Sequence, residues 1–566
     1  MEHVWSTGGP EGEVQMDNNG WDAIVIGSGL GGLTAAAYLA TNGKRTLVLE
    51  QHYVAGGNTH VFRRKAQHGK LQFEFDVGVH YLGDCGPDGG IPTILRGVGL
   101  GDKVEFLELD PEGFSTLMFP GLTFKVPKGW DKYRERLVAA LPDDETGLHR
   151  CLDVLEGMAQ EFRKISLPVK PEDVPRMMQE APNFMRWGMR TLGALFDDCG
   201  LGQKARAVLT GESGDYALPP SRTPVLLHAM LTDHYMHGAF YPKGGGQVLP
   251  AHLVDVVRAN GGELRTKARV ERIIVEDGKA LGVRLAEGEE IRAPIVVSNA
   301  DIKRTYMEMV GEEHLSPGTV SRVNQWRMAL PIFCVYLGLD VDLNDRIPNT
   351  NYFLFTGFDS EGMYRDCEEG RMPTELWTYM TAASVKDPHT EAIAPRGHSA
   401  VEIMTLVPAD YRLWAIEQGP AAGEKYHRKP EYRSFKEQLT EAMINAAERV
   451  IPDIREHIVW REAATPITQE RFTFSTGGTS YGIELSPGQF GPSRPDPTTE
   501  IEGLYLTGAS TVFGHGIAGV MRGGVGTAAA VLHRDLMSEV YAGRVFGDPS
   551  KLTAPGPDWD PWKASR

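Results

Sequence analysis

A glycine-rich turn between an apolar run and a small-residue helix constrains this chain more than any other feature. Ala23 to Ile26 are apolar, as in a parallel strand buried on both faces, and the turn Gly27-Ser28-Gly29-Leu30-Gly31-Gly32 follows directly. Gly27, Gly29 and Gly32 match G-x-G-x-x-G. In that pattern the first glycine makes the tight turn, the second admits a pyrophosphate and the third lets the helix pack on the strand. Leu33 to Ala40 are small, helix-forming residues. The stretch therefore predicts a strand–turn–helix unit that binds a dinucleotide.

An acidic residue stands where the ribose of such a dinucleotide would bind. Thr46 to Leu49 read as the second strand, and Glu50 at its carboxyl end lies 18 residues after Gly32. A carboxylate there accepts hydrogen bonds from both ribose hydroxyls and repels a 2′-phosphate, so FAD or NAD fits better than NADP. A second glycine turn, Gly56-Gly57-Asn58, can bring backbone N–H groups to the same cofactor.

Composition narrows the functional classes. The chain has 566 residues, 41% of them hydrophobic and 23% charged, and its net charge of −17 disfavours nucleic acid as a partner. Five scattered cysteines without a C-x-x-C pair predict neither disulfides nor a metal site, and they favour a cytoplasmic setting. No apolar run of about 18 residues predicts a membrane span. We expect residues 1–20 and 547–566 to be tails.

The segment from about Gly101 to Tyr235 lacks the dinucleotide pattern and reads mostly as helices. Phe184 to Phe196 predicts one helix with an apolar face that includes Trp187 and Leu195. Two interpretations stay open: a core helix of a substrate domain, or an interfacial helix that makes a peripheral membrane contact. The core interpretation is favoured because apolar stripes usually face cores.

Nucleotide-domain features return later in the chain. Tyr241 to Gly246 leads into a helix, Val248 to Asn260, and further strands follow up to Ser298. Near the end, a strand meets Gly508, and a glycine-rich loop precedes a helix whose N-terminus favours negative charge. Between these regions, a second sheet is predicted from four strand-like segments: 329–339, 351–356, 375–382 and 400–406. One nucleotide-binding domain is thus assembled from separated stretches.

These stretches together resemble the phytoene desaturase-like family of FAD-dependent oxidoreductases with the amine-oxidase fold. The residues that carry the resemblance are GSGLGG with Glu50, AGGNTHVF, YPKGGGQVL with GVRLAEGEEIRAPIVVSNAD, and GLYLTGASTVFGHGIAGV. Within the family, NTHVFRRK, FEFDVGVHYLG and HYMHGAFYPKGGG are most similar to the retinol saturase and carotenoid isomerase branch. The nucleotide motifs cover about half of the chain.

The resemblance implies an α/β fold. A Rossmann-type FAD-binding domain of amine-oxidase-like (p-hydroxybenzoate hydroxylase-type) architecture would be interleaved with an α+β substrate domain. We expect the FAD-binding domain at 21–100, 239–305 and 490–535, and the substrate domain at 101–238 and 306–489. Oligomeric state is left open.

The resemblance also implies noncovalent FAD and the residues that hold it. Gly27, Gly29, Gly31 and Gly32 would meet the pyrophosphate, Glu50 the ribose and Val270 the adenine. Gly56, Gly57 and Asn58 would approach the same cofactor, Gly508 would lie at the phosphates, and Ile517, Gly519 and Val520 near the flavin ring. Only one complete fingerprint is present, because Gly244-Gly245-Gly246 lacks the spacing of a second. The external electron donor or acceptor is therefore left open between NAD(P)H, a quinone and oxygen.

The expected substrate is a long polyene or isoprenoid-like lipid, and the preferred reaction is reduction of one C=C bond. The alternatives are carotenoid cis–trans isomerisation or desaturation at the same flavin site, and a non-catalytic flavin-binding lipid escort. Hydride transfer requires a proton donor or acceptor at the second carbon. His80 and Tyr81 follow the strand-like segment 73–79, which in the resembling enzymes passes near the flavin, and His515 lies in the terminal glycine loop. The resemblance therefore makes these three the catalytic candidates. Hydrogen-bonded residues that only order their loops are the alternative for each.

Overall fold

The structure, a computed structural model, describes residues 20–165, 174–556 and 558–566. The predicted N-terminal tail therefore lies, apart from Gly20, outside the described residues. The described residues form two large sheets with helices packed on them, joined by smaller strand units.

Five short strands form the sheet that carries the glycine turns, here called the nucleotide sheet. In spatial order they are Glu263–Arg265, Thr46–Leu49, Ala23–Ile26, Ile295–Ser298 and Leu504–Leu506. All neighbouring pairs are parallel, and the strands that precede the glycine turn and Glu50 are buried along their whole length. This explains their uninterrupted apolar sequences, because the sheet is covered on both faces. Helices pack on one face, and the strands Val270–Glu276, Lys279–Leu285 and Glu290–Arg292 pack on the other.

Three helices on the nucleotide sheet come from distant parts of the chain: Leu30–Thr41, Val248–Ala259 and Ile517–Leu532. The first and third approach closely through glycine, since a Cβ on Gly524 would lie 2.6 Å from the carbonyl oxygen of Gly31. The helix Ile517–Leu532 is thereby held against the helix that begins at the glycine fingerprint.

Seven strands form the second sheet, here called the substrate sheet. In spatial order they are Ile458–Ala464, Ile332–Leu339, Ser399–Leu406, Thr378–Thr381, Asn351–Leu354, Ser115–Phe119 and Leu122–Val126. Only Asn351–Leu354 and Ser115–Phe119 pair in parallel, so the sheet is mixed. All four strand segments predicted between residues 329 and 406 are confirmed as members of this sheet.

The two faces of the substrate sheet bury different cores, because successive side chains of a strand point to opposite faces. Phe333, Val335 and Leu337 pack towards the helix Pro430–Ala447. Cys334 and Tyr336 face the opposite core, which the sheet shares with the helices between residues 130 and 236, here called the helical segment. The helices of that segment are Trp130–Ala140, Glu145–Phe162, Val174–Glu180, Pro182–Trp187, Leu192–Cys199, Gln203–Leu209 and Val225–Met236.

Smaller units connect these layers. The strands outside the two large sheets are Val61–Ala66, Leu71–Asp76, Leu82–Gly83, Phe106–Glu108, Ala239–Pro242, Val270–Glu276, Lys279–Leu285 and Glu290–Arg292. Other helices are Gly90–Gly97, Ile302–Arg304, Pro317–Gln325, Gly362–Glu368, Ala383–Lys386, Pro466–Thr473, Leu536–Tyr541 and Pro561–Ala564. Phe73 and Phe75 lie in the segment predicted for the nucleotide domain yet pack in the core of the helical segment. The exact domain bounds therefore stay a prediction.

The prediction of a single helix over 184–196 is wrong. Two helices, Pro182–Trp187 and Leu192–Cys199, are separated by a break whose residues hydrogen-bond elsewhere: Leu192 N–H donates to Thr223 O, and Val225 N–H donates to Arg190 O. Trp187 and Leu195 are 2% and 0% exposed, so they belong to the core and not to a membrane interface. The core interpretation is confirmed for them, whereas Met185 and Met189 of the same segment are exposed.

The structure also contradicts the prediction of a C-terminal tail. The ring of Trp559 stacks on that of His252, and Arg63 donates two hydrogen bonds to the carboxylate of Asp560 at 2.7 and 2.8 Å. Ser565 O accepts a hydrogen bond from Ala55 N–H beside the second glycine turn. Aromatic and ionic anchors thus fix a segment whose Pro, Asp and Lys content is typical of a tail.

Candidate functional site

Three glycine turns from distant parts of the chain meet at the carboxyl edge of the nucleotide sheet. Gly29 and Gly56 form a backbone bridge, and Gly56 N–H donates to Ser28 O at 3.0 Å. A Cβ on Gly57 would lie 2.9 Å from Gly29 Cα, and one on Gly31 would lie 3.0 Å from the backbone of Gly508. Side chains are excluded at this junction, so backbone amide groups can approach a ligand directly.

Asn299 is the side chain at the centre of this junction, and the sequence motifs predicted no role for it. A Cβ on Gly29 would lie 2.8 Å from Asn299 Nδ2, and one on Gly508 would lie 2.4 Å from Asn299 Oδ1. Gly27 and Gly508 also have φ angles of 88° and 94°, which favour glycine. Gly32 differs from these glycines, because a Cβ on it would clash with the carbonyl oxygen of Gly27 and it does not line the cavity described below.

Glu50 is buried and fixed next to the first glycine turn. Its Oε2 accepts hydrogen bonds from Ser28 N–H at 2.9 Å and Ser28 Oγ at 2.6 Å, while Oε1 accepts one from His52 N–H at 2.7 Å. The carboxylate is therefore oriented before any ligand binds. Its predicted contact with a ribose is not tested by these bonds, and it stays a prediction.

A cavity of about 2360 Å³ begins at the glycine turns and continues into the substrate sheet. It is lined by every cofactor candidate predicted from the sequence except Gly32: Gly27, Gly29, Gly31, Glu50, Gly56, Gly57, Asn58, Val270, Gly508, Ile517, Gly519 and Val520. The helices Leu30–Thr41 and Ile517–Leu532 begin at this cavity without a side-chain cap, so their first N–H groups are available to an anion.

The far part of the cavity, here called the aromatic arm, is walled mainly by apolar side chains. Those that define it are Phe184, Tyr336, Phe353, Trp377, Tyr379 and Leu406, drawn from the helical segment and from one face of the substrate sheet. Pockets for single small ligands usually measure about 300–1,000 Å³. The cavity therefore has room for a dinucleotide and a long apolar ligand together.

Tyr81 lies in the cavity as part of a polar cluster. Its hydroxyl donates to Oδ2 of Asp215 at 2.6 Å, and the hydroxyl of Tyr235 donates to the same oxygen at 3.0 Å. The two rings stack with centroids 4.6 Å apart. Burial raises the pKa of Asp215 to about 6, although the two phenol donors lower it. Burial also raises the pKa of Tyr81 well above its usual value.

His80 lines the same cavity, but its electrostatics do not fit a cationic proton donor. Burial, and then the positive charge of Lys386, lower the pKa of His80 to about 3, so its ring is neutral at physiological pH. The Lys386 ammonium donates hydrogen bonds to the carbonyl of His80 and, at 2.7 Å, to Asn351 Oδ1. These contacts support the loop-ordering interpretation of His80.

His515 is also held in place by its neighbours. Its Nε2 donates to the backbone carbonyl of Asp215 at 3.0 Å, and its ring stacks on that of Tyr481 with centroids 4.5 Å apart. Burial and the charge of Arg494 lower the pKa of His515 to about 4. Tyr81 and His515 are therefore brought together by Asp215, a residue that sequence reasoning missed because no motif marks the segment around it.

A model of the flavin containing amine oxidoreductase family matches residues 30–387, more than half of the chain, and the protein belongs to that family. The fold is similar to that of cyclohexylamine oxidase from Brevibacterium oxydans, with a TM-score of 0.55 at 16% identity over 91% of this chain and all of that one. The predicted α/β fold class is confirmed.

Two curated relatives give the resemblance more detail. The chain is 29% identical over 545 residues to all-trans-retinol 13,14-reductase from Homo sapiens, covering 92% of this chain and 87% of the relative. It is 26% identical over 558 residues to prolycopene isomerase 1 from an Oncidium hybrid cultivar, covering 93% and 86%. The predicted family and branch are confirmed, and the protein is a flavin oxidoreductase related to both.

Proposed function

We propose that the protein binds FAD noncovalently and acts on a C=C bond of a long polyene or isoprenoid-like lipid, with reduction as the preferred reaction. The observation that carries this proposal is the continuous cavity, whose glycine-lined end suits a dinucleotide and whose aromatic arm suits a long apolar chain. The family is flavin-containing, and one relative is named a retinol reductase. The chemistry that FAD supplies when bound is the transfer of a hydride to or from carbon.

The residues present fit this cofactor. Gly29, Gly31, Gly57 and Gly508 leave no side chain where a pyrophosphate would contact backbone N–H groups, and Glu50 presents an oriented carboxylate for the ribose. The capless start of Ile517–Leu532 would favour a partly negative flavin edge. Val270 would lie by the adenine, and Gly519 and Val520 by the ring system.

The aromatic arm would hold the lipid and exclude water from the reacting bond. Its walls contribute apolar and aromatic surface, and burying such surface stabilises a bound polyene by about 25 cal/mol per Å². Tyr81 and its polar cluster lie within this surface. A polar group there would meet the reacting part of the lipid without competition from bulk solvent.

The experiment that tests the proposal combines absorption spectra with product analysis. Purified protein should show a flavin spectrum, release FAD on denaturation and, once reduced, convert all-trans-retinol to a product heavier by two hydrogens. Parallel reactions with NAD(P)H, a quinone and oxygen would identify the external electron partner. A folded protein that gains no flavin spectrum when FAD is added would overturn the proposal.

Cis–trans isomerisation is the second candidate function, because the relatives include prolycopene isomerases of full-length similarity. It would use the same cavity, and it differs in leaving the mass of the polyene unchanged. Reduced protein incubated with prolycopene therefore separates the two functions by chromatography and mass spectrometry. Unchanged mass with altered geometry would favour the isomerase.

A peripheral membrane contact belongs to the same proposal, but through exposed methionines in and near the predicted segment 184–196 in place of the buried Trp187 and Leu195. Met178, Met185 and Met189 are 65%, 41% and 48% exposed, and Met189 lines the cavity together with Phe184. These three methionines, here called the methionine patch, would touch the membrane surface near the aromatic arm. Within the described residues, none of the helices combines the length and apolarity that crossing a bilayer requires.

A further inference from the structure

The carboxyl of Asp215 has one occupied and one available oxygen. Asp215 ends the short turn Ser213–Asp215 and lines the cavity. Oδ2 accepts both phenol hydrogen bonds, from Tyr81 and Tyr235, whereas Oδ1 has no hydrogen-bond partner among the described residues. The two phenols therefore hold Oδ2 in place and leave Oδ1 for a ligand.

We propose that Asp215 is the residue that exchanges a proton with one carbon of the reacting C=C bond, and that Tyr81 and Tyr235 are its positioning residues. This inference rests on the proposed function, which it deepens by assigning the proton. Catalytic proton transfer requires a group within hydrogen-bond reach of the reacting atom, and Oδ1 is the carboxyl oxygen that a bound lipid can reach.

The proton transfer conserves atoms and electrons in both candidate reactions. In reduction, the π electrons of the double bond form a C–H bond with the Oδ1 proton, and the electrons of the O–H bond remain on the carboxylate. The hydride that the other carbon needs would come from the reduced FAD of the proposed function, which would be oxidised. In isomerisation, the same proton adds to one carbon, the resulting single bond rotates, and the proton returns to Oδ1.

The surrounding groups favour Asp215 over the candidates predicted from the sequence. His80 is neutral at physiological pH, and the Nε2 hydrogen of His515 is used by the carbonyl of Asp215. Tyr81 holds its proton far more tightly than a carboxyl does. Burial raises the pKa of Asp215 to about 6, near the working pH that suits a proton-transfer group.

The titratable groups that face Asp215 are themselves uncharged near neutral pH: the acid and the phenols keep their protons, and the histidine is neutral. Burial, followed by the charge of Asp215, raises the pKa of Glu212 to about 8, and Ser115 Oγ donates to that carboxyl at 2.7 Å. Burial likewise raises the pKa values of Tyr235, Tyr379 and Tyr481. It also raises those of Tyr216 and Tyr364, and His515 stays neutral. Asp215 is thus the acid of this group that changes charge most readily near neutral pH.

A first measurement follows Asp215 without turnover. Purified protein with ¹³C-labelled aspartate should show a protonated-carboxyl infrared band that disappears as pH rises through about 6. Burial also raises the pKa of Asp76 to about 6, so Asp215→Asn should lose only the Asp215 part of this band. Asp197→Asn, at an exposed residue paired with Arg206, should keep the whole band. Tyr81→Phe removes a donor that stabilises the carboxylate, so the titration should move to higher pH. A wild-type titration that Asp215→Asn leaves unchanged would overturn the proposal.

Turnover supplies the second measurement. With reduced protein and all-trans-retinol, Asp215→Asn should slow product formation by about 10²-fold or more, while FAD content and the dissociation constant of the lipid stay near wild type. Tyr81→Phe should shift the pH profile of the rate in the same direction as the infrared titration, which a merely structural tyrosine would not do. If Asp215→Asn fails to fold, the pH profile of Tyr81→Phe tests the proposal instead, and a profile that does not shift would overturn it.

Different results would overturn the role of Asp215 and the proposed function. Wild-type turnover in a folded, FAD-loaded Asp215→Asn protein would overturn the role of Asp215 alone. A wild-type protein that changes neither retinol nor prolycopene would overturn the proposed function, and with it the proton assignment that rests on it.

Discussion

The two ends of the cavity are built by different means. At the nucleotide end, the ligand-facing surface is mostly backbone, because glycines at positions 29, 31, 57 and 508 leave no room for side chains. In the aromatic arm, the surface is made of side chains that come from five distant segments. Short sequence motifs therefore identify the nucleotide end, whereas the residues of the aromatic arm come together only when the chain folds.

Electrostatics follow the same division. The nucleotide end offers helix N-termini and one hydrogen-bonded carboxylate, Glu50, which suits charged phosphates and a ribose. The aromatic arm contains buried acids and phenols, such as Asp215, whose protons are held by burial. Binding is therefore expected to depend on the first region and proton transfer on the second. The predictions below test that separation.

The largest effect is expected at the fingerprint. Gly29→Val should abolish FAD binding, because even a Cβ there would lie 2.8 Å from Asn299 Nδ2 and the branched side chain would fill the place of the pyrophosphate. Absorption spectra and FAD release check this. Gly86→Val is the matched control, since a Cβ on Gly86 meets no atom within 4 Å. Normal flavin content in Gly29→Val would remove the turn from the cofactor site.

A smaller loss is expected from Glu50→Gln. The carboxylate accepts three hydrogen bonds from Ser28 and His52, and an amide in its place loses one acceptor and turns a donor towards these groups or the ribose. We expect weaker FAD binding by about 1–3 kcal/mol, measured by titration of apoprotein. Turnover of the loaded enzyme should stay close to wild type. Unchanged FAD affinity would contradict the assigned role of Glu50.

His80→Ala tests the aromatic arm with one of the three catalytic candidates predicted from the sequence. A ring already neutral at physiological pH gives no cationic proton donor, so turnover should fall by less than about tenfold. Single-turnover rates of FAD-loaded protein check this against Asp215→Asn. A loss of 10²-fold or more in His80→Ala, with FAD bound and reducible, would restore His80 as the donor.

The sequence predicts the nucleotide end of the cavity better than the aromatic arm. Gly27, Gly29 and Glu50 act within one strand–turn–helix–strand unit, so local spacing identifies them and the fold they require. Asp215 carries no motif, and its partners Tyr81 and Tyr235 are 134 and 20 residues away in sequence. The break after Trp187 depends on backbone bonds to residues 220–225, which apolar spacing does not show. Contacts between residues distant in sequence thus determine the position of Asp215 and the helix break, and sequence patterns do not show such contacts.

The smallest expected effect concerns the methionine patch, where the aromatic arm would meet lipid. Trp187 and Leu195 are too deeply buried to serve as probes, since charging them would disrupt the core. Met185→Glu with Met189→Glu changes two exposed side chains instead, and should reduce flotation with phosphatidylcholine liposomes by a few-fold while FAD stays bound. Val545→Glu, at a residue 45% exposed elsewhere, is the matched control. The net charge of −17 opposes attraction to anionic lipid, so added phosphatidylserine should not restore binding. Equal flotation of the variant and wild type would show that the lipid reaches the aromatic arm without this contact.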